Sequence, residues 1–153
     1  MNAGAIAERV EGYREALAAA GIDRDTSIEL ACASSIEEAR RADQRLRDLR
    51  PRPDAVFCTN NFMTLGVMLA LTEGGLECPR DIALVSFDDF PWATAFRPRL
   101  TAVSRPSYKM GREAVTLLFD RITKSSAGTP VRMVLGTELI IRESSGVDPP
   151  PLK

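Results

Sequence analysis

The sequence predicts an α/β fold: doubly wound, with a mostly parallel sheet and helices on both faces. Two continuous apolar runs, 55–58 (AVFC) and 82–87 (IALVSF), have the unbroken hydrophobicity of parallel strands covered on both sides. Between them 62–72 reads as a helix, as the crossover between parallel strands requires. Each run also leads into polar residues, Asn60-Asn61 and Asp88-Asp89. Ligands of open parallel sheets bind beyond the carboxyl ends of the strands, so these four residues are expected to line one crevice. That points to binding before it points to catalysis.

The elements follow in order. Val10, Tyr13, Leu17 and Ala20 recur at three- and four-residue steps and mark an amphipathic helix over 6–20, closed by Gly21. Residues 27–33 (SIELACA) read as a short strand. Ser34 or Ser35 then caps a second helix, with Glu38 at capping-box distance from Ser35, and this helix ends by Arg50, before Pro51 and Pro53. Gly74-Gly75 ends the helix over 62–72, and Pro79 and Asp81 make the turn into the second buried strand. After Asp89 an irregular stretch with Pro91, Trp92, Phe96 and Pro98 leads to a strand at 100–104 and a helix at 107–122. Residues 125–130 read as a polar loop, 131–135 and 138–142 as strands, and 146–153 as a frayed tail.

Composition narrows the function. The 153 residues suit one domain of ordinary size. Twenty basic and 21 acidic residues give a net charge of -1, so no global field attracts nucleic acid or an anionic membrane. Cys32, Cys58 and Cys78 have no CxxC spacing and read as reduced residues, which suits a cytoplasmic location. No run approaches the roughly 20 apolar residues of a membrane span, and 1–7 lacks the pattern of a secretory signal. With no histidine, Asp88 and Asp89 make a poor transition-metal or triad site. GxGxxG, Walker A and HExxH patterns are missing, so no cofactor, metal or catalytic residue is assigned.

Four segments in order carry a resemblance: RVEGYREALAAAGI (9–22), RPDAVFCTNNFMTLGVMLALTEGGLECPRDIALVSFDD (52–89), LTAVSRPSYKMGREAVTLLFDRI (100–122) and TELIIRESSG (137–146). The sequence resembles the LacI/GalR family of bacterial transcriptional regulators, and specifically their effector-binding core, which is similar to type I periplasmic binding proteins. The resemblance implies a chain that starts inside the C-terminal lobe. Residues 1–99 then form the lobe-like effector-binding region, and 100–135 the crossover that normally completes the N-terminal lobe. Residues 136–146 make a return strand and 147–153 the tail. It also implies a small polar metabolite as effector, a homodimer, and operator DNA contacted only through a helix-turn-helix segment outside this sequence. As given, the chain is expected to bind effector weakly or not at all, and operator not at all. The apolar face of the 107–122 helix, with Tyr108, Val115, Leu118 and Phe119, is expected either to repack on the remaining lobe or to pair with a second copy.

By the same resemblance, three residues are candidate effector ligands. Arg9, three residues before Gly12, suits hydroxyls or a carboxylate; the competing reading is a solvated helix arginine. Asn60 offers a donor and an acceptor at a strand end; the competing reading is a helix N-cap, which the adjacent Asn61 could supply instead. Asn61 departs from the acidic residue more usual in the family. Asp88 would accept from effector hydroxyls, with Asp89 structural; the competing reading is a loop acid capping nearby amides. The family's stacking aromatic is missing from Ala33-Ser34-Ser35-Ile36, which puts a standard pyranose or purine in doubt unless Trp92 substitutes. Thr64, Leu65, Met68 and Phe96 match the family's two-fold contact, against a plain core role. Two rivals share the fold class: a periplasmic sugar-binding protein of an uptake system, and a small α/β enzyme using Asp88 or Asp89 as its acid or base.

Overall fold

Three parallel strands frame the molecule in the computed structural model, which describes residues 3–123 and 129–147. They are β1 (Ala55–Cys58), β2 (Ala83–Phe87) and β3 (Thr101–Ser104), and a fourth, β4 (Glu138–Ile140), runs antiparallel on the far side of β3. The order is β1-β2-β3-β4, with Phe57 opposite Val85 and Phe87 opposite Val103. The described residues also form four α-helices: α1 (Ala3–Ala19), α2 (Ile36–Asp48), α3 (Asn61–Glu73) and α4 (Ser107–Thr123).

Alternation along the strands gives each face its own partner. Val56, Cys58 and Leu84 point into the main core with Val67, Met68 and Leu71 of α3. Phe57 belongs to the opposite face, where it stacks on Tyr13 of α1 at 6.5 Å between ring centres. Helix α3 is apolar around most of its circumference because it is enclosed, with β1 and β2 on one side and α2 on another. The α2–α3 approach depends on Gly66. A Cβ there would lie 2.5 Å from both the Ala39 Cβ and the Ile36 carbonyl oxygen, so only glycine fits this contact.

The segment after β4 fastens the sheet. Ser144, fully buried, donates from Oγ to the Leu84 carbonyl at 2.6 Å and accepts from the Thr101 amide at 2.8 Å. Arg142 binds both oxygens of Asp89, at 2.7 and 2.9 Å, and also the Leu100 carbonyl at 2.7 Å. Glu143 accepts from the Arg99 side chain at 2.9 Å and from its amide at 2.7 Å.

The expected strands at 55–58, 82–87 and 100–104 are present to within a residue, as are the helices that follow Asn60 and Pro106. Two expected strands are not formed. Residues 27–33 begin as a 3-10 turn, Thr26–Ile28, because the Asp25 side chain accepts from the Ser27 amide, and Glu29 is then held by Arg14 and Arg24. Residues 131–135 join no ladder: β3 is already paired on both edges, and Val131 and Val134 face solvent. Repacking of α4 on the remaining lobe does not occur either. The helix buries none of its residues, with Tyr108 84% and Phe119 61% exposed. The polar loop at 125–130 and the tail at 146–153 lie largely outside the described residues.

Candidate functional site

Three neighbouring strand ends share one edge of the sheet. Beyond β1 come Thr59 and Asn60, beyond β2 Asp88 and Asp89, and beyond β3 Arg105. Because β1, β2 and β3 are parallel, these residues meet at the carboxyl edge, where open α/β sheets hold ligands.

Arg9 reaches this edge from α1. Its Nη1 donates to the Thr59 carbonyl at 2.6 Å, and its guanidinium lies 3.7 Å from the centre of the Phe87 ring, a cation–π contact. Burial pulls Arg9 below its ordinary pKa; the negative charge of Asp88 offsets part of this, and Arg105 adds to the depression. The side chain stays cationic at any ordinary pH. Arg9 is therefore a placed residue and not the freely solvated helix arginine.

Asp88 stands in the left-handed region at φ 78°, a conformation that aspartate tolerates better than most residues. Its amide donates to the Val103 carbonyl at 3.0 Å, and its Oδ1 accepts from Arg105 Nε at 2.5 Å. The carboxylate is 8% exposed and the arginine 40%. Asp89 faces the other way, toward Arg142, in the structural role expected of the second acid.

Asn60 is fully buried, and it is the helix cap. Its Oδ1 accepts from the Met63 amide at 3.0 Å and its Nδ2 donates to Ser34 Oγ at 3.3 Å. The division expected of the pair, with Asn61 capping, is corrected: Asn61 is the first residue of α3. Thr64 and Met68 are likewise core groups of the single chain, Thr64 Oγ1 donating to the Asn60 carbonyl at 3.0 Å. Leu65 and Phe96 keep partial exposure, and the more exposed large apolar residues of α3 are Phe62 and Leu69, at 43% and 47%.

An open cavity of about 690 Å³ lies over this edge, bordered by Arg9, Tyr13, Phe57, Phe87, Val103 and Arg105 among others. Its size suits a small molecule, and it combines an apolar floor with a few charged groups. The aromatic surface that the α2 region lacks is thus supplied by the strands themselves. Trp92 does not contribute; it stacks on Phe90 at 5.0 Å and meets Phe96 edge-on. Phe57 and Phe87 were detectable as large aromatics at strand positions facing away from the α3 core. Arg105 was detectable as a strand-end residue by the same rule that singles out Asn60 and Asp88. Among the described residues no group of three or more metal-ligating side chains is found.

Comparisons with known proteins bear on this geometry. Residues 2–145 match the periplasmic binding protein-like domain family. The chain is 40% identical over 137 residues to the HTH-type transcriptional regulator CelR of Thermobifida fusca, covering 90% of this chain and 40% of that protein. It is 34% identical over 146 residues to the HTH-type transcriptional repressor PurR of Haemophilus influenzae, covering 94% and 44%. The solved CelR–cellobiose complex superimposes with a TM-score of 0.82 over 90% of this chain and 42% of that one. A LacI-family regulatory protein from Chloroflexus aggregans, 33% identical, gives 0.79 over 90% and 50%. The chain spans about 40–50% of the length of these relatives.

Proposed function

We propose, for a chain that belongs to the periplasmic binding protein-like family in the form carried by LacI-type regulators, that it senses a small polar metabolite at the carboxyl edge of its sheet. The observation that carries this reading is the convergence of Arg9 and Arg105 on a cavity bordered by Phe57 and Phe87, with Asp88 held against Arg105 at the same sheet edge. Arg9 and Arg105 supply fixed donors, Asp88 an acceptor, and Phe57 and Phe87 an apolar surface for one face of the ligand. Asn60 acts one step back. By capping α3 and bonding Ser34 it fixes the strand end whose Thr59 carbonyl holds Arg9.

In the regulator, effector binding would shift the balance between two arrangements of the lobes by its difference in affinity for them, and a DNA-binding segment would report the shift. The relatives are transcriptional regulators and one is solved with cellobiose, which supports a sugar-like effector, a cytoplasmic location and a non-catalytic role. Self-association as a homodimer through the exposed side of α3, with Leu65 and Phe96, belongs to the same reading.

Calorimetric titration with a panel of sugars and nucleosides tests the reading. Binding by at least one of them is expected, weakened tenfold or more by Arg9→Ala or Phe87→Ala while circular dichroism stays unchanged. A ligand whose affinity ignores both substitutions would place the site elsewhere.

A further inference from the structure

Asp88, the acceptor a neutral polyol would use, is already engaged. Arg105 donates to its Oδ1 at 2.5 Å, and the carboxylate is almost wholly enclosed. A hydroxyl-bearing ligand with no charge finds one of the two carboxylate oxygens already taken by a guanidinium. The cavity wall itself has the opposite character. Arg9 and Arg105 both border it, near enough that Arg105 disfavours the charge on Arg9, while one carboxylate, Asp88, offsets it from behind. Arg9 has only a backbone carbonyl and an aromatic face as partners in the contacts described for it. Glu8 also borders the cavity, but from an exposed position on α1, where solvent screens it.

We infer that the preferred ligand of this site carries an anionic group, a carboxylate or a phosphate, on a body flat enough to lie against Phe57 and Phe87. The inference rests on the effector-binding reading above and specifies the ligand class. Guanidinium groups match a carboxylate or phosphate by forked hydrogen bonding, with Arg9 held in place and Arg105 able to turn toward the ligand, and an anion placed between them offsets their repulsion. Arg105 is the residue that sets this preference. It sits at a strand end and is 40% exposed, so it can exchange Asp88 for a ligand oxygen without disturbing the core.

The test uses matched pairs of probes on the protein: cellobiose against cellobionate, and glucose against glucose 6-phosphate, with inorganic phosphate as a separate arm, all by calorimetric titration at low and moderate salt. The acidic member of at least one pair is expected to bind tenfold or more tightly than its neutral partner, and the preference should shrink as salt rises. Arg105→Gln should reduce that ratio to about one by weakening the acidic ligand, while neutral binding is kept or improved because Asp88 is released. Equal affinity within both pairs, or a ratio that Arg105→Gln leaves unchanged, overturns the anionic preference and leaves the effector reading standing. Phosphate alone matching glucose 6-phosphate overturns recognition of a sugar body. Binding by no member of the panel removes the effector reading and this inference with it.

Discussion

Asp88 and Asp89 are neighbours in sequence, and each faces an arginine from another strand end, yet the two ion pairs differ in construction. Asp89 receives both forks of Arg142, which also reaches the Leu100 carbonyl, and both side chains are largely enclosed. Asp88 receives one nitrogen of Arg105, from a side chain that stands partly in solvent at the rim of a cavity. The first pair has every reason to stay closed. The second can open, and the difference lies in how many hydrogen bonds are lost when it does. Adjacent residues of one type thus divide between a closed, doubly held ion pair and one that stands beside a cavity rim, according to what the next strand offers them.

Removing each arginine separates the two roles. Arg142→Ala should cost about 3 kcal/mol in urea denaturation, because it leaves an enclosed carboxylate and a carbonyl without their donors. A loss as small as that of a surface pair would mean that Asp89 relaxes to solvent. A third carboxylate, Asp43, sharpens the contrast. It is buried in α2 beside Arg47 at 2.9 Å, but the pair is poorly aligned for hydrogen bonding, and burial raises its pKa to about 6. The folded state therefore holds this proton more tightly than the unfolded chain, so its stabilising contribution is full below pH 4 and is lost as pH rises through 6. That loss should be about 3 kcal/mol, and Asp43→Asn should flatten this part of the stability profile. Glu29 has the opposite sign. Hydrogen bonds from Arg24 and Arg14 lower it to about 2, so its contribution is present above the usual glutamate range and falls away in acid. Smaller again, Arg105→Gln should cost about 1 kcal/mol, because the enclosed Asp88 carboxylate loses the one hydrogen bond it receives from Arg105, while altering ligand preference. A large loss there would erase the distinction between the two pairs.

Much of the fold was legible because burial on both faces leaves a plain record: the runs at 55–58 and 82–87 are apolar throughout and became β1 and β2. Pro51, Pro53, Gly74 and Gly75 punctuated them at the right places. Segment 27–33 misled because its strand-like composition yields to tertiary ties, the Asp25 turn and the two arginines on Glu29, which no local pattern displays. In the site, Arg9 and Asp88 were identified and are brought together. Asn60 was identified as well, but its capping role was assigned to its neighbour, since either asparagine satisfies the same preference. Arg105 was overlooked because one arginine in a chain with 20 basic residues carries no local mark; only its place beyond β3 gives it meaning. Helix α4 shows the reverse case. Its apolar face was read correctly, yet periodicity says that a face is apolar without saying what covers it.

The fastening by Ser144 has a consequence for how the protein is made. Its hydroxyl serves a carbonyl 60 positions earlier in the chain and an amide 43 positions earlier. During synthesis at about 5–20 residues per second, β2 and β3 leave the ribosome seconds before the side chain that saturates their backbone exists. Until it arrives, the Leu84 carbonyl and the Thr101 amide must be satisfied by water. Assembly of the sheet interior thus waits for residue 144, and a stalled ribosome carrying the chain only as far as α4 would present an unsealed sheet to the cell's chaperones.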